Sequence, residues 1–138
     1  MTTGIPKSRP CAAAILAAVL GTACAGAAAA TPQGLMADYS ARASGSADAA
    51  RGKAFFTTAH GREWACASCH GPTPVSDGRH AATGKPIQPL APSANPARFT
   101  DRDKVEKWFR RNCTDVVGRA CTDAEKADVL AWLITLNR

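Results

Sequence analysis

The chain has 138 residues, of which 17 are Lys or Arg and 11 are Asp or Glu, so its formal net charge is +6. A chain of this length forms one domain and buries only a modest hydrophobic core of its own. A charge this small does not indicate a nucleic-acid partner. We therefore expect a monomeric protein that binds no nucleic acid.

The first thirty residues predict an export signal. Lys7 and Arg9 precede an uncharged, Ala-rich run that ends at Ala30. A charged segment, a short apolar segment and a zone of small residues, in this order, are typical of a secretory signal, and the apolar segment is too short to span a membrane. We expect residues 1–30 to be removed, which leaves residues 31–138 as one periplasmic domain. Loss of the two basic residues lowers the net charge from +6 to +4.

Two helices are predicted between the signal and the first cysteine of the mature chain. The first covers residues 35–43, and the second covers residues 47–60 with Ser46 as its N-cap. Gly52 lies inside the second helix, where glycine costs about 1 kcal/mol relative to alanine. We expect another helix to approach closely at Gly52, on the face that also carries Phe56.

Cys66, Cys69 and His70 form the sequence Cys-X-X-Cys-His, which is typical of c-type haem attachment. The spacing presents both thiols to the vinyl groups on one edge of a porphyrin and brings the imidazole under the iron. We therefore predict one covalent haem c with His70 as an axial ligand. A thioredoxin-like pair would need a strand and a βαβ setting, and no strand pattern is present. A zinc site would add Cys113 and Cys121, which lie beyond the usual spacing, and a chance match is the third alternative.

The sequence contains six cysteines, and their positions divide into three pairs. Cys11 and Cys24 fall in the export signal, and the next two attach the haem. Cys113 and Cys121 remain, with seven residues between them, and are well placed for a disulfide in an exported protein. Lipid attachment at Cys24 is the alternative to a free periplasmic chain, and Gly21 counts against it because an aliphatic residue is usual there.

The segment from residue 71 to residue 96 contains six prolines, which exclude regular helices and strands. Ile87 and Leu90 are apolar, and the segment begins directly after His70. We therefore expect an ordered loop that covers the haem edge. A disordered linker is the alternative.

Two further helices complete the predicted all-α fold. Thr100 begins a helix over residues 101–111, and Thr122 with Glu125 forms a capping box that begins the last helix. The last helix has a broad apolar face and is the expected partner of the Gly52 face. That apolar face consists of Ala127, Val129, Leu130, Leu133, Ile134 and Leu136.

The sixth ligand of the iron is not a methionine in the usual place, because Met1 and Met36 both precede His70. On the helix over residues 101–111, four side chains recur at helical spacing and form a face that should point at the haem: Val105, Trp108, Phe109 and Asn112. Asn112 can bind ferric iron through its carbonyl oxygen, and a helix C-cap is its alternative role. His80 and Cys113 are the other candidate ligands.

Nine short segments between residues 83 and 133 carry a resemblance to a known protein family. They are Thr83-Gly84-Lys85, Pro89-Leu90-Ala91-Pro92-Ser93-Ala94, Arg98-Phe99-Thr100-Asp101, Val105-Glu106-Lys107-Trp108, Arg111-Asn112-Cys113, Gly118-Arg119, Cys121-Thr122, Glu125-Lys126-Ala127-Asp128 and Leu130-Ala131-Trp132-Leu133. Together they resemble the sphaeroides haem protein family, whose members are high-spin relatives of class I cytochrome c. The resemblance covers about residues 35–136 and departs from the family at a shorter loop, Arg62-Glu63-Trp64, and at Thr114-Asp115.

The resemblance implies a class I cytochrome c-like helical fold around one haem. It implies that His70 is the proximal ligand and that Asn112 is a distal ligand which leaves the iron on reduction. It also implies a disulfide between Cys113 and Cys121 beside that ligand, binding of oxygen or nitric oxide, and a dihaem cytochrome c as electron donor. Ferric iron is hard and tolerates an amide oxygen, whereas ferrous iron is softer, so an asparagine can act as a redox-controlled ligand.

The expected function is therefore periplasmic electron transfer coupled to binding, or reduction, of a small diatomic ligand. A simple one-electron carrier and a gas-binding or scavenging haem protein without turnover are the alternatives, and no residue is assigned a catalytic role. Basic residues in and before the helix over residues 101–111 would suit the docking of an acidic redox partner, and a solvated helix face explains them at least as well. They are Arg98, Arg102, Lys104, Lys107, Arg110 and Arg111.

Overall fold

The computed structural model describes Met1 and residues 29–137, so almost all of the predicted export signal lies outside the described residues. These residues form five helices and one pair of short strands. They are α1 (Pro32–Arg42), α2 (Ala49–Thr57), α3 (Cys66–His70), β1 (Gly78–Arg79), β2 (Pro86–Ile87), α4 (Arg102–Val116) and α5 (Asp123–Thr135). The all-α prediction is confirmed. No helix in the described part of the chain has the length and apolar character needed to cross a membrane.

The first two helices begin where side chains cap them. Thr31 accepts a hydrogen bond from the Gly34 N–H at 3.0 Å, so α1 begins three residues before the predicted start. Asp48, and not Ser46, caps α2 by accepting from the Arg51 N–H at 2.8 Å. Because Asp48 is the cap, α2 begins two residues later than predicted, and it also ends three residues earlier, at Thr57.

Gly52 permits the close contact of α2 with α5 that the sequence predicts. A Cβ atom on Gly52 would lie 1.9 Å from the carbonyl oxygen of Asp128, so only glycine fits between the two backbones. One turn later, the rings of Phe56 and Trp132 have centroids 4.9 Å apart. The prediction that the last helix packs against Gly52 and Phe56 is confirmed.

A buried carboxylate fixes the start of α2 on α5. The Asp128 carboxylate accepts hydrogen bonds from the Asp48 N–H at 2.6 Å and from the Arg51 guanidinium at 2.8 and 2.9 Å. Asp128 is only 6% exposed. Because a buried carboxylate is costly unless its oxygens are paired, these bonds turn Asp128 into a clamp between the two helices.

Helix α5 also forms the centre of a second packing cluster with α1 and α4. Its buried members are Leu35, Tyr39, Val105, Ala127 and Leu130. At the helix start, Glu125 N–H donates to Thr122 Oγ1 and Thr122 N–H donates to a Glu125 carboxylate oxygen. The predicted capping box is therefore confirmed.

The proline-rich segment after His70 is an ordered loop, as predicted. The N–H groups of Leu90 and Ala91 both donate to the Pro74 carbonyl, at 3.1 and 3.0 Å, and Ala91 is fully buried. The expectation that no strand forms there is wrong, because β1 and β2 pair as antiparallel two-residue strands. Pro86 begins β2, a position that tolerates the missing N–H of proline.

Candidate functional site

Helices α2, α3, α4 and α5, with the loop after α3, line a cavity of about 970 Å³. This is the upper end of the range for ligand pockets in proteins, about 300–1,000 Å³. Its walls carry many apolar side chains, among them Phe56, Leu90, Phe99, Val105, Phe109 and Leu133. The size and the apolar lining fit a large, flat, apolar cofactor.

The attachment motif forms one turn of helix on one wall of this cavity. Cys66, Cys69 and His70 all line the cavity, and both thiols are free. Ser68 Oγ accepts a hydrogen bond from the Ala65 N–H at 3.0 Å, which stabilises the start of α3. Gly71 ends the helix with a φ of 77°, a conformation that favours glycine. The three residues predicted to hold the haem are therefore brought together at the cavity wall.

The protonation states of this motif favour haem attachment over a thiol redox pair. Burial raises the pKa of the Cys66 thiol to about 11, whereas thioredoxin-like pairs lower it. Burial, with the positive charge of Arg98, lowers the pKa of His70 to about 4. At neutral pH the His70 imidazole is therefore uncharged and has a lone pair available for a metal.

Gly78 is a site residue that the sequence analysis missed. A Cβ atom at this position would lie 2.1 Å from the Cys69 carbonyl oxygen and 3.0 Å from His70 Cα. Strand β1 therefore packs directly on the backbone of the proposed iron ligand. In the sequence, Asp77-Gly78 is a common turn dipeptide, so no local signal distinguishes this contact.

Asn112 lies in the interior of α4, because this helix continues to Val116 and its C-cap is Val117. The alternative role of Asn112 as a helix C-cap is therefore wrong, and so is the predicted helix end at residue 111. Val105, Trp108, Phe109 and Asn112 all line the cavity, as the helical spacing predicts. Trp108 is 44% exposed, and the Arg111 guanidinium lies 5.7 Å from its ring centroid.

Cys113 is joined to Cys121 by a disulfide with a Cα–Cα distance of 5.6 Å. Both cysteines are buried, and Phe55 and Phe109 pack against them. The disulfide leaves Cys113 no thiolate for the iron. It also removes two of the four thiols of the zinc alternative, and the described residues contain no group of three or more His, Cys, Asp or Glu suited to a metal ion.

His80 is exposed and lies in the turn between β1 and β2. Its side chain lines the cavity, and its Nδ1 accepts a hydrogen bond from the Thr83 N–H at 3.3 Å. The neighbouring Ala81 N–H donates to Cys69 Sγ at 3.3 Å. His80 therefore belongs to the wall that carries the attachment motif, whereas Asn112 belongs to α4.

Arg98 is a second residue whose position the sequence did not predict. It was expected in the basic cluster for a redox partner, but its side chain is half-buried and lines the cavity. Its Nε donates to the Pro89 carbonyl at 2.9 Å, and Nη2 donates to the Gln88 carbonyl at 2.8 Å. Burial lowers the pKa of this guanidinium. Arg98 is thus a fixed positive charge at the cavity and not part of an exposed docking face.

The cavity residues fit a covalently attached haem c. Two adjacent thiols face the apolar cavity, a neutral imidazole follows them, and a half-buried guanidinium stands at the wall. When bound, the haem supplies an iron that changes oxidation state and that takes axial ligands from the protein.

A family model and a sequence relative each match most of the chain. A family model described as "Domain of unknown function (DUF1924)" matches residues 42–133. The cytochrome c-type protein SHP of Cereibacter sphaeroides is 52% identical over 124 residues, which cover 86% of this chain and 94% of that protein.

Solved structures are similar over most of the described chain. The structure of oxidised SHP, described as an oxygen-binding cytochrome c, has a TM-score of 0.72 and 50% identity, and the match covers 76% of this chain and 96% of that one. The solution structure of cytochrome c'' from Methylophilus methylotrophus, described in terms of haem-ligand detachment, has a TM-score of 0.69 and 38% identity. That match covers 78% of this chain and 94% of the other.

Proposed function

Because the chain belongs to the sphaeroides haem protein (SHP) family of c-type cytochromes and carries one covalent haem c, we propose that it couples electron transfer to the binding of a small diatomic ligand. Oxygen and nitric oxide are the proposed ligands, and the predicted export signal supports a periplasmic location. The description of a relative as an oxygen-binding cytochrome c supports the extension of that property to this chain.

The proposed axial ligands are His70 below the iron and Asn112 above it. The observation that carries this proposal is the position of Asn112 in the interior of α4, on the wall of the cavity that His70 also lines. Cys113 lacks a thiolate because of its disulfide, and His80 belongs to the attachment wall. Of the three candidate ligands, Asn112 therefore remains, and it lies on α4 and not on the wall that carries the attachment motif.

Asn112 would control access to the iron through its carbonyl oxygen. A hard oxygen donor suits ferric iron, and ferrous iron prefers softer or diatomic ligands. We propose that the Asn112 side chain moves off the iron on reduction and leaves that position to the diatomic ligand. Support for a detachable ligand in related proteins comes from cytochrome c'', whose structure is described in those terms.

The disulfide next to Asn112 is proposed to limit its movement. Cys113 follows Asn112 directly and is held by Cys121 and by contacts with Phe55 and Phe109. The backbone at Cys113 therefore has little freedom, so we expect the movement to be confined to the side chain of Asn112.

The proposed electron donor is another cytochrome, with a dihaem cytochrome c as the specific candidate from the family resemblance. Helix α4 carries exposed basic side chains for an acidic partner, and Lys104 and Arg111 among them also line the cavity. The full set is Lys104, Lys107, Arg110 and Arg111. These basic side chains would serve a simple one-electron carrier equally well, so such a carrier is the second candidate function.

Reduction of the diatomic ligand is a further part of the proposed function. It would take place at the iron where the ligand binds and needs no second binding site.

Optical spectra of the haem-loaded protein separate the two candidates. A ligand-binding protein should show no sulfur-to-iron charge-transfer band when oxidised, and a high-spin, five-coordinate spectrum when reduced that changes on addition of carbon monoxide. A low-spin reduced spectrum that ignores carbon monoxide would favour the simple carrier.

Two matched variants test the ligand assignment. Asn112→Ala should let azide bind the ferric iron, and His80→Ala should leave azide binding as in the unmodified protein. Both side chains line the same cavity, so His80→Ala controls for a general loosening of the walls. If only His80→Ala admits azide, the assignment of Asn112 is wrong.

A further inference from the structure

Arg98 differs from every other arginine in the described part of the chain. Five arginines there have a carboxylate partner within 4.0 Å: Arg42, Arg51, Arg102, Arg111 and Arg119. Arg62, Arg79, Arg98 and Arg110 have none in the same part, and of these four only Arg98 is not exposed. A half-buried cation without a counter-ion is unfavourable.

The side chain of Arg98 is held in place although no carboxylate pairs with it. Nε and Nη2 donate to the carbonyls of Pro89 and Gln88, so two backbone groups orient the guanidinium plane. Nη1 has no hydrogen-bond partner among the described residues. The Nη1 group therefore remains free to donate hydrogen bonds at the cavity. The planar guanidinium, with its parallel N–H groups, matches the geometry of a carboxylate.

Haem brings carboxylates to this cavity, because it carries two propionate groups. We infer that Arg98 binds a haem propionate and acts as its counter-ion. This assignment rests on the covalent haem and not on the identity of the distal ligand. The carbonyl contacts orient the guanidinium before the haem is attached, which reduces the entropy cost of pairing.

The pairing has a measurable electrical consequence. The negative charge of a propionate stabilises ferric iron, which carries one more positive charge than ferrous iron. A guanidinium fixed beside the propionate offsets that negative charge, so a paired propionate favours ferric iron less than an unpaired one does. Replacement of Arg98 by a neutral residue should therefore lower the reduction potential. If Asn112 is released on reduction, Arg98 also sets the potential at which that release occurs.

The test compares reduction potentials of three haem-loaded variants. Arg98→Gln removes the charge, Arg98→Lys keeps it, and Arg62→Gln removes an exposed charge that lines the same cavity. At the midpoint potential of the unmodified protein, we expect Arg98→Gln to raise the ferric-to-ferrous ratio about tenfold, equivalent to 59 mV. Arg98→Lys should restore most of the difference, and Arg62→Gln should produce a clearly smaller change. An Arg98→Gln shift no larger than that of Arg62→Gln overturns the inference.

A crystal structure of the unmodified ferric protein tests the same inference if Arg98→Gln fails to retain haem. We expect a propionate oxygen within about 3.2 Å of an Arg98 guanidinium nitrogen. A guanidinium that contacts neither propionate overturns the assignment. Neither experiment depends on azide or carbon monoxide binding, so a failure here is distinct from a failure of the Asn112 proposal.

Discussion

Gly78→Ala tests whether the packing of strand β1 on helix α3 positions His70. The added Cβ would lie 2.1 Å from the Cys69 carbonyl oxygen, and Cβ contacts below 3.0 Å are essentially not observed, so strand and helix must separate by at least 0.9 Å. Gly78 does not have a positive φ, so the penalty comes from this contact and not from backbone torsion. Forced overpacking of this kind costs about 1–3 kcal/mol.

The measurement is thermal unfolding of the oxidised, haem-loaded protein, followed by circular dichroism and by the Soret band. At about 4–8 °C per kcal/mol for a domain of this size, the Tm should fall by about 4–24 °C, and the Soret band should shift because His70 moves with α3. Gly45→Ala is the control, since its nearest atom would be Ala43 O at 3.8 Å, and it should change stability by less than about 0.5 kcal/mol. A Gly78→Ala protein that matches this control in Tm and spectrum would refute the reasoning.

Three further predictions concern the clamp, the disulfide and acid stability. Asp128→Asn should destabilise the fold by about 1–3 kcal/mol in urea unfolding, because Arg51 loses its charged partner; equal unfolding midpoints would contradict the clamp. Replacing Cys113 and Cys121 together by serine should cost about 2–3 kcal/mol and alter carbon monoxide affinity, and unchanged affinity would exclude a role of the disulfide at Asn112. Burial raises the pKa of Glu106, but hydrogen bonds from Lys126 and Tyr39 outweigh it and lower this pKa overall. The stabilisation is present above the ordinary pKa of about 4.5 and is lost as the pH falls through the lowered value, so Glu106→Gln should flatten the Tm profile in that acidic range.

Elements whose signals are local in sequence were predictable, and α5 is the best example. Its start depends on Thr122 and Glu125, which lie three residues apart and bond to each other. The end of α4 was missed although a signal existed. Gly118 has a φ of 82° and its N–H donates to the Cys113 carbonyl at 3.0 Å, which is the usual role of glycine after a helix. The residues before Gly118 are poor helix formers, yet α4 continues through them to Val116.

The candidate site was predictable only where one helix or one motif supplies the residues. Cys66, Cys69 and His70 are nearly adjacent, and Asn112 shares a helical face with Trp108, so spacing was sufficient to place both sets at the cavity. The ligand role of Asn112 came from the family resemblance and not from spacing. The roles of Gly78 and Arg98 depend on contacts between segments that are distant along the chain. Such contacts follow from the path of the proline-rich loop, which no local pattern specifies.

The two segments that carry the proposed axial ligands differ in how the surrounding backbone is packed. On the attachment wall, His70 follows Cys69 directly, and strand β1 contacts the backbone of both through Gly78, so the main chain that carries the imidazole has little room to move. Asn112 lies in a continuous helix, α4, whose backbone bonds are complete without its side chain. Its carboxamide can leave through rotation about two side-chain bonds, and rotations of that kind are far faster than helix rearrangement. Release of Asn112 from the iron would therefore require no rearrangement of the α4 backbone.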